Sequence, residues 1–192
     1  MILPVFAQVA ALSGALVLEN DYVRVSRDAA RCAAASAECG DRVIVARGDV
    51  TVRAGGSVHR LKRGDIRVFE PGQSYEAPDG SYWEVAFKPV HPRVETPREV
   101  IRPGKNEVLF ENARIFVFEE RLAVGDTRPR HSHFPRVVIQ LNRTRLQQWP
   151  EGEPELLRDI EPDRPGFNPA VIHTVKNVGA LPLRGIVLEL KP

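Results

Sequence analysis

What the chain lacks narrows it first. It has no run of the roughly 20 apolar residues that a spanning helix needs, because the apolar start is broken by Pro4, Gln8, Ser13 and Gly14, so the protein is not expected to be integral to a membrane. It also lacks a block of like charge: 27 Lys and Arg stand among 25 Asp and Glu, for a net charge of +2. A nucleic-acid partner is therefore not expected, and the pair Arg143 and Arg145 reads as a solvated strand face. There is no glycine-rich phosphate loop and no Ser/His/Asp set in a recognisable context. Cysteine is down to two residues, Cys32 and Cys39, which could bridge a surface loop in an oxidising compartment or could equally be two buried thiols. The first eighteen residues carry no charge, and Val5-Phe6-Ala7 before Gln8 has the small-residue pattern of a signal-peptidase site, although the basic segment of an export signal is missing. Two readings stand for this start: the tail of an export signal, which would favour an exported or periplasmic protein over a cytoplasmic one, or an extended arm that pairs with a sheet edge.

Helix signals are almost as scarce. Only the stretches from Val9 to Leu16 and from Pro154 to Ile160 could be helical, and both are weak. Elsewhere apolar residues alternate or cluster in short runs, as in Val23-Arg24-Val25, Val43-Ile44-Val45, Val50-Thr51-Val52 and Tyr82 to Phe87. Gly48-Asp49, Gly55-Gly56, Arg63-Gly64-Asp65, Pro71-Gly72 and Asp79-Gly80 punctuate them, as tight turns require. A hydrophobic content of 43% supplies a core, and many short strands joined by tight turns point to an all-β sandwich or barrel.

A long-period repeat organises the chain. Val17-Leu18-Glu19-Asn20-Asp21-Tyr22-Val23-Arg24-Val25 returns as Val108 to Val117 with one inserted residue, and Arg42-Val43-Ile44-Val45 returns as Arg136-Val137-Val138-Ile139. Both copies end in a closing strand, Glu84 to Lys88 and Leu183 to Lys191, and the proline- and charge-rich stretch from Pro89 to Gly104 lies between them. Two units are expected, residues 1–94 and 95–192.

Arg42 to Val52, Gly55-Gly56, Leu61 to Ile66 and Glu70-Pro71-Gly72 together resemble the middle of a barrel of the cupin family. In that family a glycine, five residues and His-x-His are followed by a glutamate and a later glycine, and a second motif carries a histidine four residues before an asparagine. Gly125 followed by His131-Ser132-His133, and His173-Thr174-Val175-Lys176-Asn177, match this spacing. The resemblance covers both halves and implies a bacterial-type two-lobed cupin (a bicupin): two tandem double-stranded β-helix, jelly-roll-like barrels, the second keeping the metal-binding histidines. The chemistry agrees, since positions i and i+2 of a strand face the same way. His131 and His133 would thus point inward together, and His173 would complete the set from a neighbouring strand. Three neutral imidazoles suit a divalent transition metal, with Fe(II) favoured and Zn, Mn, Ni or Cu as alternatives, and leave coordination positions open. His59 and His91 read as surface residues.

The departures from the pattern are as informative. No acidic residue lies between Pro135 and Val138, where the family has its glutamate, and Asn142 or Arg143 replaces the later glycine. Strand parity puts Arg136, Val138 and Gln140 on one face; if that face is the inner one, Arg136 would hold an anionic group and Gln140 would orient a ligand or water, and otherwise Arg136 is a charge at the barrel mouth. In the first half the ligand positions fall on Ala37, Cys39 and Tyr75, with Asp41 where the glutamate and Asp79 where the asparagine would stand. That lobe reads as structural, or as a metal-free pocket around Tyr75 and Tyr82. The expected activity is oxygenase-like chemistry on a small organic substrate, against a non-catalytic small-molecule or metal-binding cupin or a structural module. The expected state is a monomer or weak homodimer.

Overall fold

The computed structural model describes residues 15–28, 40–78, 80–94 and 106–192. Cys32 and Cys39, Ala37, Asp79 and the expected boundary near residue 95 lie outside them, or at their edge.

Sixteen strands, numbered in chain order, make up the described secondary structure, and there is no helix among these residues. In the first half β1 (Ala15–Glu19), β2 (Val23–Arg27), β7 (Tyr82–Phe87), β3 (Arg42–Ala46) and β6 (Ile66–Phe69) lie side by side in that order. β4 (Val50–Ala54) and β5 (Ser57–Leu61) form a separate hairpin. Its two-residue turn is Gly55-Gly56, with φ of 55° and 77°, the left-handed values such a turn demands and glycine supplies without steric cost.

In the second half one sheet runs β8 (Asn106–Glu111), β9 (Ile115–Leu122), β16 (Leu183–Leu190), β11 (Arg136–Gln140) and β14 (Gly166–Asn168). The other runs β10 (Thr127–His133), β15 (Val171–Asn177), β12 (Thr144–Pro150) and β13 (Leu156–Ile160). If β8, β9, β11, β14 and β16 are read as the repeats of β1, β2, β3, β6 and β7, the two five-stranded sheets have the same strand order. No named strand before residue 94 pairs with one after residue 105.

The stretch Pro154 to Ile160 corrects a sequence expectation, because Leu156–Ile160 is a strand. β13 pairs along β12 from Gln148↔Leu156 to Thr144↔Ile160. Seven residues are too few to nucleate a stable helix, whereas the turn at Gly152, with φ of 77°, returns the chain directly beside the open edge of β12. Of the other stretch, Ala15 and Leu16 open β1, and the residues before them lie outside the description.

Parity along the strands divides the apolar residues into two sets. Val43, Val45, Val85, Val117, Val137 and Ile186 belong to one cluster that draws on both five-stranded sheets and fills the space between the two halves. Residues of the opposite parity turn inward: Ile44, Ala46 and Tyr82 pack inside the first half, and Phe116, Phe118 and Val187 inside the second. The inner strands of each long sheet, such as β3, β7 and β16, are thus buried on both faces, which explains their near-continuous apolar runs. It also fixes which face carries the polar residues of a site, since Arg136 and Gln140 share the parity of Val138 and point inward.

Candidate metal centre

β10 and β15 bring the three histidines together. They pair antiparallel with His131 directly opposite His173, and His133 follows two residues along β10 on the same face. The register shifts between Arg128 and His131, a bulge that contains Pro129. Proline has no N–H to give a ladder, so the bulge suits it. The extra residue also changes the parity, so that Arg128, three positions before His131, faces inward with it; the two are 1% and 0% exposed.

The ring centroids of His131 and His133 are 4.7 Å apart, those of His131 and His173 4.6 Å, and those of His133 and His173 5.3 Å. One nitrogen from each ring lies within 4.8 Å of the others, and no other such group of His, Cys, Asp or Glu occurs among the described residues. Nitrogens bound to one ion at about 2.1 Å stand roughly 3–3.5 Å apart, so closing on an ion takes a movement of about an ångström.

Hydrogen bonds orient two of the rings. Nδ1 of His131 lies 2.8 Å from the Pro129 carbonyl, which accepts only, so Nδ1 carries the proton and Nε2 is the bare nitrogen; it is buried and has no partner. Nδ1 of His133 lies 2.5 Å from Oε1 of Glu189 on β16, which sets its tautomer in the same way. Both nitrogens of His173 are buried without a partner. Buried polar atoms are nearly always satisfied, so convergent orphan nitrogens are a donor set that fits a metal ion.

Burial is the main cause of low basicity in all three rings. Desolvation, with Arg136 and Arg128 nearby, brings His131 down to about 4 and His173 down to about 3, and it holds His133 well below the usual histidine range. The imidazoles are neutral at neutral pH, the form in which they donate a lone pair. The same shifts set a pH dependence. The unfolded chain titrates these rings near 6.5 and the folded one only well below, so the unfolded state takes up protons first. The metal-free protein is expected to hold full stability above about pH 6.5 and to lose it progressively from there down to about pH 3, by up to about 1.4 kcal/mol per pH unit for each histidine. Melting curves of metal-free protein across this window check it, and the slope between about pH 6.5 and 5, above the carboxylate range, should be absent from the triple His→Ala variant.

A cavity of about 410 Å³ opens beside the cluster, lined by His133, His173, Arg136, Val138 and Gln140 and by the chain around β13 and β14. Arg136 is in its wall, 8% exposed, with one guanidinium nitrogen donating to the Pro169 carbonyl at 2.9 Å. It is not a surface charge at the mouth. Glu189 stands directly across the β11–β16 pairing from it. Gln140 lies over Gly185, where an added Cβ would meet its Oε1 at 2.5 Å, and that Oε1 is buried without a partner. Asn177, 0% exposed, is a structural residue instead. It donates to the Leu122 and Leu181 carbonyls and accepts from Thr144 and the Gly179 N–H, tying the ends of β9, β12 and β15.

Three residues of the site were missed in the sequence. Glu189 supplies a carboxylate from β16 where none follows His133 in the chain, and the buried Arg128 pairs with the partly buried Glu120, which lines the cavity. An isolated Glu in the apolar closing strand Ile186-Val187-Leu188-Glu189-Leu190 was the available signal.

The first half has the matching arginine but no such cluster among its described residues. Arg42, 0% exposed, donates to the Glu70 and Gln73 carbonyls, and Tyr75 stacks on Phe69 with centroids 4.4 Å apart. Tyr75 and Tyr82 belong to an apolar cluster with Ile44, Val50 and Val52. His59 is half-buried on β5, with its Nε2 enclosed, rather than a freely solvated surface residue. Arg143 and Arg145 are exposed and pair with Glu161 and Asp159, as a solvated face should.

No protein-family model matches the chain, and no curated protein does. Solved structures do. A putative glyoxylate-induced protein from Pseudomonas aeruginosa aligns over 90% of this chain and 77% of its own, with a TM-score of 0.58 at 10% identity. A cupin 2 conserved barrel domain protein from Leptotrichia buccalis aligns over 93% and 88%, with a TM-score of 0.57 at 15% identity. AerE from Microcystis aeruginosa aligns over 93% and 97%, with a TM-score of 0.56 at 12% identity. At these identities the likeness is one of fold, and the fold of this chain is that of the cupins.

Proposed function

We propose that residues 1–94 and 95–192 are two cupin lobes, and that the second holds one divalent transition metal on His131, His133 and His173 and acts on a small organic substrate bearing an anionic group. The observation that carries this reading is the convergence of three buried, neutral imidazoles, two with bare nitrogens, on the wall of a cavity that also presents Arg136. Fe(II) is the favoured ion, with Zn, Mn, Ni or Cu as alternatives. When bound, such an ion supplies a Lewis-acidic centre and, in the case of iron, redox chemistry with dioxygen.

The residues of the chain divide the remaining work. Glu189 holds the Nδ1 proton of His133 and so keeps its Nε2 available. Its negative charge also stands close behind a ligand set that is itself uncharged. Arg136, stripped of water and fixed by the Pro169 carbonyl, pairs with a substrate carboxylate or similar group, and Gln140 orients it or a water. Val138, Leu146 and Val175 give the cavity an apolar side for the body of the substrate.

Benzoate, a flat anion with an apolar body, is a suitable probe. Arg136→Ala is expected to weaken benzoate binding to the metal-loaded protein by about 10- to 100-fold, the worth of a charge-assisted hydrogen bond, and to leave metal stoichiometry unchanged. Calorimetry with parallel metal analysis reads both. Equal affinity in variant and parent would remove Arg136 from the binding site.

A further inference from the structure

We infer that Arg63, in a turn of the first lobe, is a positioning residue for the second-lobe cavity: it holds the loop that forms part of the cavity rim. The inference rests on the reading of that cavity as a ligand site. It gives the lobe without a histidine cluster a part in the site of the other.

The turn joining β5 to β6 is Lys62-Arg63-Gly64-Asp65, and the first lobe braces it from several sides. The Gly64 N–H donates to the Ala46 carbonyl at 2.9 Å, the Ala46 N–H to the Asp65 carbonyl at 2.9 Å, and the Lys62 N–H to the Asp65 carboxylate at 2.8 Å. Gly64 has a φ of 90°, and a Cβ there would stand 2.9 Å from Cδ1 of Leu141, so glycine lets the turn close against the end of β11.

From this base the Arg63 guanidinium crosses to the second lobe. Nη1 bonds the Arg47 carbonyl at 2.9 Å on its own side and both carboxylate oxygens of Asp163, at 3.0 and 3.1 Å, on the other; Nη2 donates to the Leu141 carbonyl at 2.9 Å. One planar cation thus ties together three backbone or side-chain acceptors, a task that suits arginine and not lysine.

Asp163 is the middle of the loop Glu161-Pro162-Asp163-Arg164-Pro165, which links β13 to β14. It adopts a left-handed φ of 56°, a conformation that aspartate tolerates better than most residues with a Cβ, and its N–H donates to the Gln140 carbonyl at 3.0 Å. Ile160, Glu161, Arg164 and Gly166 on either side of it line the cavity. Pro162 and Pro165 restrict the backbone around Asp163 and Arg164, so one clamp in the middle sets the course of the whole loop. The clamp also reaches the backbone of Gln140 and Leu141, the strand end that aims the Gln140 side chain into the cavity. An ion pair this exposed, with side chains 39% and 31% accessible, contributes little to global stability. Its effect is local, on one loop.

The test is hydrogen exchange of the full chain, metal-loaded, in parent, Arg63→Ala, Arg63→Lys and Asp163→Asn proteins, with benzoate affinity measured beside it. Arg63→Ala is expected to raise exchange at Asp163, Arg164 and Gly166 to Asn168 by about 10-fold or more, to leave the β4–β5 hairpin unchanged as a folding control, and to weaken benzoate several-fold with metal affinity unaltered. Arg63→Lys and Asp163→Asn, which leave the charge or one acceptor in place, should fall between parent and Arg63→Ala. Exchange of the loop unchanged in Arg63→Ala overturns the inference, and so does a loosened loop with parental benzoate affinity. A parent protein that takes up no benzoate contradicts the ligand-site reading instead, and the exchange result then still decides whether the clamp exists.

Discussion

His173→Ala is expected to strip the protein of stoichiometric metal and leave it folded. The ring sits opposite His131 in the β10–β15 ladder, and neither of its nitrogens is engaged by the protein, so nothing in the fold depends on its hydrogen bonds. Removing it takes one of the three proposed ligands from a cluster with no carboxylate in reserve between Pro135 and Val138. The loss should exceed the roughly 10- to 100-fold that a missing supporting hydrogen bond costs a metal site. His131→Ala and His133→Ala should behave alike, with the second also removing the ring N–H that Glu189 accepts from. Circular dichroism would report an unchanged β-sheet signal in each, because the apolar clusters between and inside the lobes carry the fold. A variant that keeps one equivalent of metal would show that the removed ring is not a ligand.

The second large effect concerns the seam between the two five-stranded sheets. Val117, 0% exposed, sits on β9 in the cluster shared by both five-stranded sheets. Val117→Asp would bury an unpaired carboxylate among aliphatic side chains, at a cost above about 4 kcal/mol and thus a large part of the 5–15 kcal/mol that holds a typical domain folded. The expected result is insoluble protein or a single collapsed unfolding transition at ambient temperature. Val117→Ala should cost only about 1–3 kcal/mol, from lost burial and the small cavity left behind. Because the seam is common to both halves, urea unfolding followed by Trp83 on β7 and Trp149 on β12 should move together in Val117→Ala. Displacement of the Trp149 signal alone would mean that the lobes are stabilised independently.

The sequence carried most of the strand plan because its cues were local. Val43-Ile44-Val45, the Gly55-Gly56 turn and the Arg42/Arg136 repeat each announce a strand or turn within a few residues, and the repeat then implies that two sheets share one strand order. His131-Ser132-His133 was legible for the same reason, since i and i+2 share a face whatever the fold. What escaped depends on pairings far apart in the chain. Glu189 reaches His133 only because β16 lies beside β11 with Glu189 across from Arg136. The inward turn of Arg128 needs a bulge that the pattern Thr127 to His133 does not advertise. Pro154 to Ile160 gives only a weak helix signal because a short polar-apolar mixture fits either period, and the open edge of β12 decides for a strand. Arg63, one hundred residues from Asp163, is an ordinary turn residue until the lobes are packed together.

The account stands most directly on metal content. Protein purified without a histidine tag, stripped, and dialysed against micromolar Fe(II) under anaerobic conditions should retain one ion per chain, and the triple variant His131→Ala, His133→Ala, His173→Ala should retain none. Parent and triple variant holding the same amount of metal, whether none or one equivalent, would contradict it.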